Sequence, residues 1–197
     1  WVIEDNFVRD MRPDFNAVGV EMVKDVSRFE QMKLRMLNGS HSALAYLGYL
    51  AGHDTIADTV ADPAFAAYVR QLWAEVMPVV RAPKGFDLQV YAQALMERYA
   101  NSKIRHRTWQ IAMDGSQKIP QRWLATLASQ KAEGRRCPSI LTAISGWLCH
   151  IRGDNGFVDD PLAEVLKATW AQAGAHGISA ALFSAGGIMA SGWTPSE

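Results

Sequence analysis

The sequence predicts an all-α fold, and three observations carry that expectation. Apolar residues recur at helical spacing along most of the 197 residues, prolines and capping residues stand where helices would begin, and no stretch of five or more residues alternates convincingly with period two. The opening "WVIEDNF" comes nearest to a strand. The length suits one domain, or one domain with an appendage.

From Ser27 to Leu50 the apolar positions Met32, Met36, Leu37, Leu44, Leu47 and Leu50 recur at spacings of three and four. "NGS" at 38–40 interrupts this run, because Gly in a helix costs about 1 kcal/mol relative to Ala. A cap, bend or loop is expected there. Asp62 and Pro63 read as the N-cap and first position of a helix carrying Phe65, Val69, Leu72 and Val76 on its inner face. Asp87 caps the next, which buries Leu88, Tyr91, Leu95 and Tyr99. Further helices are expected at 103–113, 120–132, 138–151 and 161–172, with a shorter one near 178–184. Pro120, Pro138 and Pro161 stand near helix starts, and Gly85, Gly115, Gly134 and Gly153 punctuate loops. The total is about seven to nine helices without an internal repeat, ending on a "SAGGIMASGWTPSE" edge.

Twenty basic and twenty acidic residues cancel, which removes the electrostatic footprint expected for nucleic acid or an anionic membrane. The Gly- and Ser-rich run Ser179–Trp193, at 15 residues, is shorter than the roughly 20 a bilayer span needs. Cys137 and Cys149 form neither a CxxC nor a disulfide framework, which favours a reducing, cytoplasmic setting. His53, His106, His150 and His176 lack i,i+4 pairing, so no metal site is expected and zinc-dependent chemistry is disfavoured. "WVIEDNF" shows no signal-peptide features and reads as the cut edge of a larger protein.

The chemistry concentrates in "KLRMLNGSHSALAYLGYL" at 33–50, where a cation, an amide and an imidazole interrupt an apolar run. On one α-helix Lys33, Asn38 and His41 would lie at about 0°, 140° and 80° of the wheel, within one broad sector. Lys33 and His41 would be about 12 Å apart along the axis, so the sector can hold a small polar molecule. The pattern alone leaves other readings open: a solvated lysine, a packed histidine and an "NGS" loop.

"FEQMKLRMLNGSHSALAYLGYLAG" resembles the signature segment of the mannitol dehydrogenase family of polyol-specific long-chain dehydrogenases. "NSKIRHRTWQIAMDGSQKIPQR" at 101–122 resembles the fructuronate reductase (mannonate oxidoreductase) branch of that family. The resemblance implies two domains: an N-terminal Rossmann-type domain that binds NAD, and an all-α domain similar to the C-terminal domain of 6-phosphogluconate dehydrogenase. Residues 1–197 would be the second, the substrate and catalytic domain, and they contain no GxGxxG following a strand. The partner implied is the chain's own Rossmann domain. Alone, the fragment would be inactive and would not hold NAD tightly. The implied reaction moves a hydride between nicotinamide and the carbinol carbon of a sugar acid or polyol, with fructuronate/mannonate favoured and fructose/mannitol next.

By the same resemblance Lys33 is the general base, Asn38 donates to the developing alkoxide, and His41 orients a substrate hydroxyl. An ordinary lysine is a poor base at neutral pH, and burial among Leu and Met would ease loss of its proton. Glu30, one turn before Lys33, would relay protons or tune the amine, or simply pair with it at the surface. Lys118 in "DGSQK", placed on a turn, resembles a substrate contact; one of Arg105 and Arg107 could clamp a uronate carboxylate. Gln110 stands where mannitol-type members align an arginine, which argues against mannitol itself. The rival readings are a helical interaction module and a sugar-acid-binding module, both without turnover.

Overall fold

The computed structural model describes residues 1–8, 11–153, 156, 158–161, 163–165 and 168. The described residues are predominantly helical, as the periodicity requires. Ahead of the helices β1 (Val2–Glu4) and β2 (Glu21–Val23) pair in parallel, Ile3 opposite Met22. The strand candidate at the start is thus a strand, but at three residues neither member is long enough to show a period-two pattern.

The centre of the fold is one rod in three parts: α1 (Ser27–Met32), a π-helical turn (Lys33–Asn38) and α2 (Gly39–Leu50). The break expected at "NGS" does not occur. Asn38 and Gly39 are right-handed helical, and Gly39 donates its N–H five residues back, to the Leu34 carbonyl. The rod absorbs its weak point as a π turn instead of a loop. α2 is buried on nearly every side, from Gly39 through Tyr46 to Gly48, which is how a helix without a strong amphipathic pattern earns its place in a core. Its neighbours approach closely: a Cβ on Gly48 would lie 2.3 Å from Thr59 Oγ1, and one on Gly146 2.6 Å from Leu47 Cδ2.

Around the rod stand α3 (Ile56–Ala61), α4 (Pro63–Val76), α5 (Leu88–Tyr99) and α9 (Pro138–Arg152), with α6 (Thr108–Ile111), α7 (Gly115–Ile119) and α8 (Ala125–Ala132) between the last two. The caps form as their chemistry dictates. Thr55 and Asp58 make a capping box on α3, Asp62 accepts from the Ala64 N–H, and Asp87 accepts from Gln89 and Val90. Along α5 Leu95 and Tyr99 are buried while Leu88 and Tyr91 are only partly so.

Two expected helices need correction. Of 103–113 only Thr108–Ile111 is helical. Before it the chain turns at 101–104, where Ile104 N–H bonds the Asn101 carbonyl, and the backbone of 106–108 is then committed elsewhere: Ile56 N–H bonds the His106 carbonyl, Thr108 N–H the Asp54 carbonyl, and Thr55 bridges Arg107. The expected 120–132 helix begins earlier, at Gly115, and Pro120 lies inside it. Proline cannot donate an i→i−4 bond, and the chain passes through it as a second π turn, Pro120–Leu124. Gly115 is therefore no loop glycine; a Cβ there would sit 2.3 Å from Tyr46 Oη and 2.5 Å from Trp147 Nε1. Of the helix expected at 161–172, residues 163–165 and 168 are helical. The rest of it, the helix near 178–184, His176 and the closing "SAGGIMASGWTPSE" lie outside the described residues.

Candidate active site

A π turn leaves backbone carbonyls without their regular helical partners, and buried carbonyls need others. In the rod four successive ones are met by side chains. Trp73 Nε1 donates to Met36 O (3.1 Å), Tyr99 Oη to Leu37 O (2.9 Å), Arg122 Nη1 to Asn38 O (3.5 Å) and Trp123 Nε1 to Gly39 O (3.1 Å). Ser40 Oγ adds bonds to Met36 O and Leu37 O. Groups from α4, α5 and the second π turn thus hold the first π turn from several sides. Lys33 opens that turn and Asn38 closes it.

This winding alters the relation read from an α-helical wheel. Bonding from i to i+5 rotates each residue by less than 100°, so residues five apart approach the same face. Lys33 and Asn38, about 140° apart on an α-helix, are drawn together. Asn38 is half-buried, and among the described residues its side-chain amide has no hydrogen-bond partner. Lys33 is exposed, contrary to the burial expected from its Leu and Met neighbours. Those neighbours face elsewhere: Met32 and Met36 point into the core, while Leu34 and Leu37 are half-buried. Adjacency in sequence put apolar groups beside Lys33, but the winding carried them to another side.

His41 follows on α2. Its ring stacks on Tyr99 (centroids 5.5 Å, 15° between planes) and lies 5.1 Å from the His106 ring. Its Nε2 is buried without a hydrogen-bond partner. Burial first, then the nearby His106, Arg122 and Arg98 charges, pushes its pKa down to about 4 from 6.5. The imidazole is therefore neutral at physiological pH, able to accept or donate one hydrogen bond but not to carry charge. Between pH 6.5 and 4 the unfolded chain takes up a proton that folded His41 refuses. Stability should fall as pH drops through that window. Thermal melts of the native protein and of His41→Gln across pH 7 to 4 check this: the variant's curve should be flatter. Equal slopes would remove His41 as the cause.

Lys118 is not on a turn; it lies on α7, whose N-cap Asp114 takes a left-handed φ of 55°. Its ammonium donates to the Met113 carbonyl and stands 3.9 Å from Asp114. Burial and then the Arg122 charge favour loss of its proton, partly offset by Asp114, Asp160 and Asp159. One turn on, Arg122 reaches Ser42 Oγ as well as Asn38 O. The structure thus sets Arg122 against Asn38 and Ser42 of the rod, with His41 and Lys118 each near enough to feel the Arg122 charge. It does not bring in Arg105, which is exposed in the non-helical segment before Thr108, so the helical geometry that set Arg105 against Arg107 does not apply. Glu30 is exposed on α1, and among the described residues no ion pair joins it to Lys33.

Arg122, Trp73 and Trp123 are absent from the sequence expectations. A signal existed for the tryptophans: a buried indole must place its N–H on an acceptor, and a continuous helix frees acceptors only at its ends or at a π turn.

The model of the mannitol dehydrogenase C-terminal domain matches residues 25–188, a span that takes in both π turns. The chain belongs to the mannitol dehydrogenase family. Within it, the chain is 48% identical over 198 aligned positions to D-mannonate oxidoreductase of Escherichia coli, covering 96% of this chain and 40% of that protein. It is 37% identical over 177 positions to mannitol 2-dehydrogenase of Phaeosphaeria nodorum, covering 85% and 31%. Pseudomonas fluorescens mannitol 2-dehydrogenase, solved as a ternary complex with NAD and D-mannitol, superposes with a TM-score of 0.82 at 35% identity over 94% of this chain and 38% of that one. The chain therefore spans two-fifths or less of these family members. Among the described residues no helix is long and apolar enough to cross a membrane, and no group of three or more His, Cys, Asp or Glu is placed to hold a metal.

Proposed function

We propose that this chain is the substrate and catalytic domain of an NAD-dependent, zinc-independent oxidoreductase that interconverts a keto-uronate or ketose with its aldonate or polyol, fructuronate and mannonate being the favoured pair. The observation that supports it is the π turn that carries Lys33 and Asn38 at its two ends, with each freed carbonyl from Met36 to Gly39 held by a side chain. A turn held from several sides fixes the side chains it presents, and fixed donors are what transition-state stabilisation needs. The 48%-identical relative is named for D-mannonate, which supports the choice of an acid.

Oxidation removes a hydride from the carbinol carbon and a proton from its hydroxyl, leaving a ketone. Lys33 takes the proton and returns it in reduction. The Asn38 amide donates to the oxygen as negative charge develops on it, and neutral His41 bonds a neighbouring hydroxyl and fixes the chain's orientation. NAD supplies the hydride acceptor when bound. The described residues do not fit it alone, since neither β1 nor β2 leads through a glycine-rich turn into a helix. The nucleotide belongs to a Rossmann domain that this domain docks against, and the cover missing over Lys33 belongs there too. The two free cysteines accord with a cytoplasmic enzyme.

A sugar-acid-binding module without turnover is favoured by one observation, the exposure of Lys33. One assay separates the readings. The full-length protein should oxidise D-mannonate with NAD at least about tenfold better than D-mannitol, while the isolated chain should oxidise neither. Binding of mannonate without oxidation would establish the module instead.

A further inference from the structure

Arg122 carries donors that the fold does not use. A guanidinium has five N–H groups; here Nη1 serves Ser42 Oγ and Asn38 O, while Nε is buried without a partner. The side chain is partly buried, and among the described residues no carboxylate lies within 4 Å of it. Its neighbour one turn back is a second cation, Lys118, whose own carboxylate Asp114 stands off at 3.9 Å. Two partly buried cations, each one turn from the other and near enough for the Arg122 charge to act on Lys118, repel each other, and an anion between them would relieve both. The guanidinium also lies against Asn38 and Ser42, on the part of the rod where the reaction is placed.

We infer that Arg122, together with Lys118, binds the carboxylate of a six-carbon sugar acid and so selects the acid over the neutral polyol. The inference rests on the oxidoreductase reading above and adds to it the residue that reads the charge. Mannonate and mannitol suit the question, because they differ only in a terminal carboxylate against a hydroxymethyl group. A guanidinium pairs with a carboxylate through two parallel bonds, which neither a lysine ammonium nor a neutral amide can reproduce. The competing role is mechanical: Arg122 would only pin the Asn38 carbonyl, and its loss would then impair both substrates alike.

The test measures kcat and KM for both alcohols with NAD in full-length Arg122→Gln and Arg122→Lys. For Arg122→Gln the KM for mannonate should rise about 10- to 100-fold, and the mannonate-to-mannitol ratio of kcat/KM should fall by a similar factor. Arg122→Lys should fall between this variant and wild type. Equal losses on the two alcohols, carried in kcat, would overturn the inference in favour of the mechanical role, as would an unchanged ratio. If Arg122→Gln does not fold, Arg122→Lys decides: a ratio lowered at least about threefold supports the inference, and an unchanged ratio overturns it. A wild-type enzyme that oxidises neither alcohol would bring down the functional reading and the inference with it, a result distinct from an active enzyme with an unaltered ratio.

Discussion

Replacing Lys33 by alanine in the full-length enzyme should lower kcat for alcohol oxidation by about 10²–10⁴, the range that a positioned acid–base group contributes. The loss should fall on kcat and kcat/KM together, because proton transfer belongs to the transition state and not to ground-state binding. Affinity for the cofactor should barely change, since the described residues provide no nucleotide cradle. The rise of rate with pH that a general base imparts should disappear. Small amines added to the assay should restore part of the activity by filling the vacated space. The exposure of Lys33 sharpens the experiment. An exposed lysine without a catalytic role tolerates alanine with almost no effect, so a variant within threefold of wild type, its pH profile intact, would reduce Lys33 to a solvated side chain.

Trp123→Ala should be the most damaging packing change near the site. The indole is completely buried, lies 6.1 Å from the Tyr46 ring and donates to the Gly39 carbonyl. Truncating a buried tryptophan costs about 3–5 kcal/mol through lost contact and the cavity left behind. Leaving the Gly39 carbonyl unmet adds about 1–3 kcal/mol where water does not reach it. Against a total stability of about 5–15 kcal/mol this sum of about 4–8 kcal/mol is a large share, and the midpoint of thermal unfolding should drop by about 8–30 °C. Trp123→Phe keeps most of the volume and loses only the N–H, so it should lie between the two. A midpoint for Trp123→Ala within 2 °C of wild type, a margin of about 1 kcal/mol, would mean that the two π turns do not depend on this contact.

The fold was readable where local chemistry acts alone. Asp62 with Pro63, and Asp87, mark helix starts because a side-chain oxygen two residues ahead of a bare N–H works in any context. The reading failed where distant chain decides. Residues 103–107 have an acceptable helical pattern, yet a turn at 101–104 and the bonds that tie 106–108 to Asp54–Ile56 keep them out of the helix, and nothing local announces that partner. Pro120 reads as a helix start because proline favours the first helical turn; that the chain winds through it as a π turn depends on packing against the rod. The site shows the same division. Lys33, Asn38 and His41 are proposed as site residues from a resemblance of sequence, and their winding onto one π-helical rod is what the structure adds. Their surroundings were not legible, because Trp73, Tyr99, Arg122 and Trp123 come from three other segments.

The first π turn also makes chain length a property of the site. Regular α-helix covers the same rise with one residue fewer, so the rod holds a residue surplus to its folding needs, kept in place by indole, phenol and guanidinium donors from its neighbours. Deleting one residue from 34–37 would let the rod relax into α-helix with its hydrogen bonds restored. The same deletion would turn Lys33 by about 100° relative to Asn38 and His41. Insertion and deletion therefore act here as point mutations do elsewhere: the register of the backbone, as much as the identity of any side chain, is what inheritance has to preserve at this position.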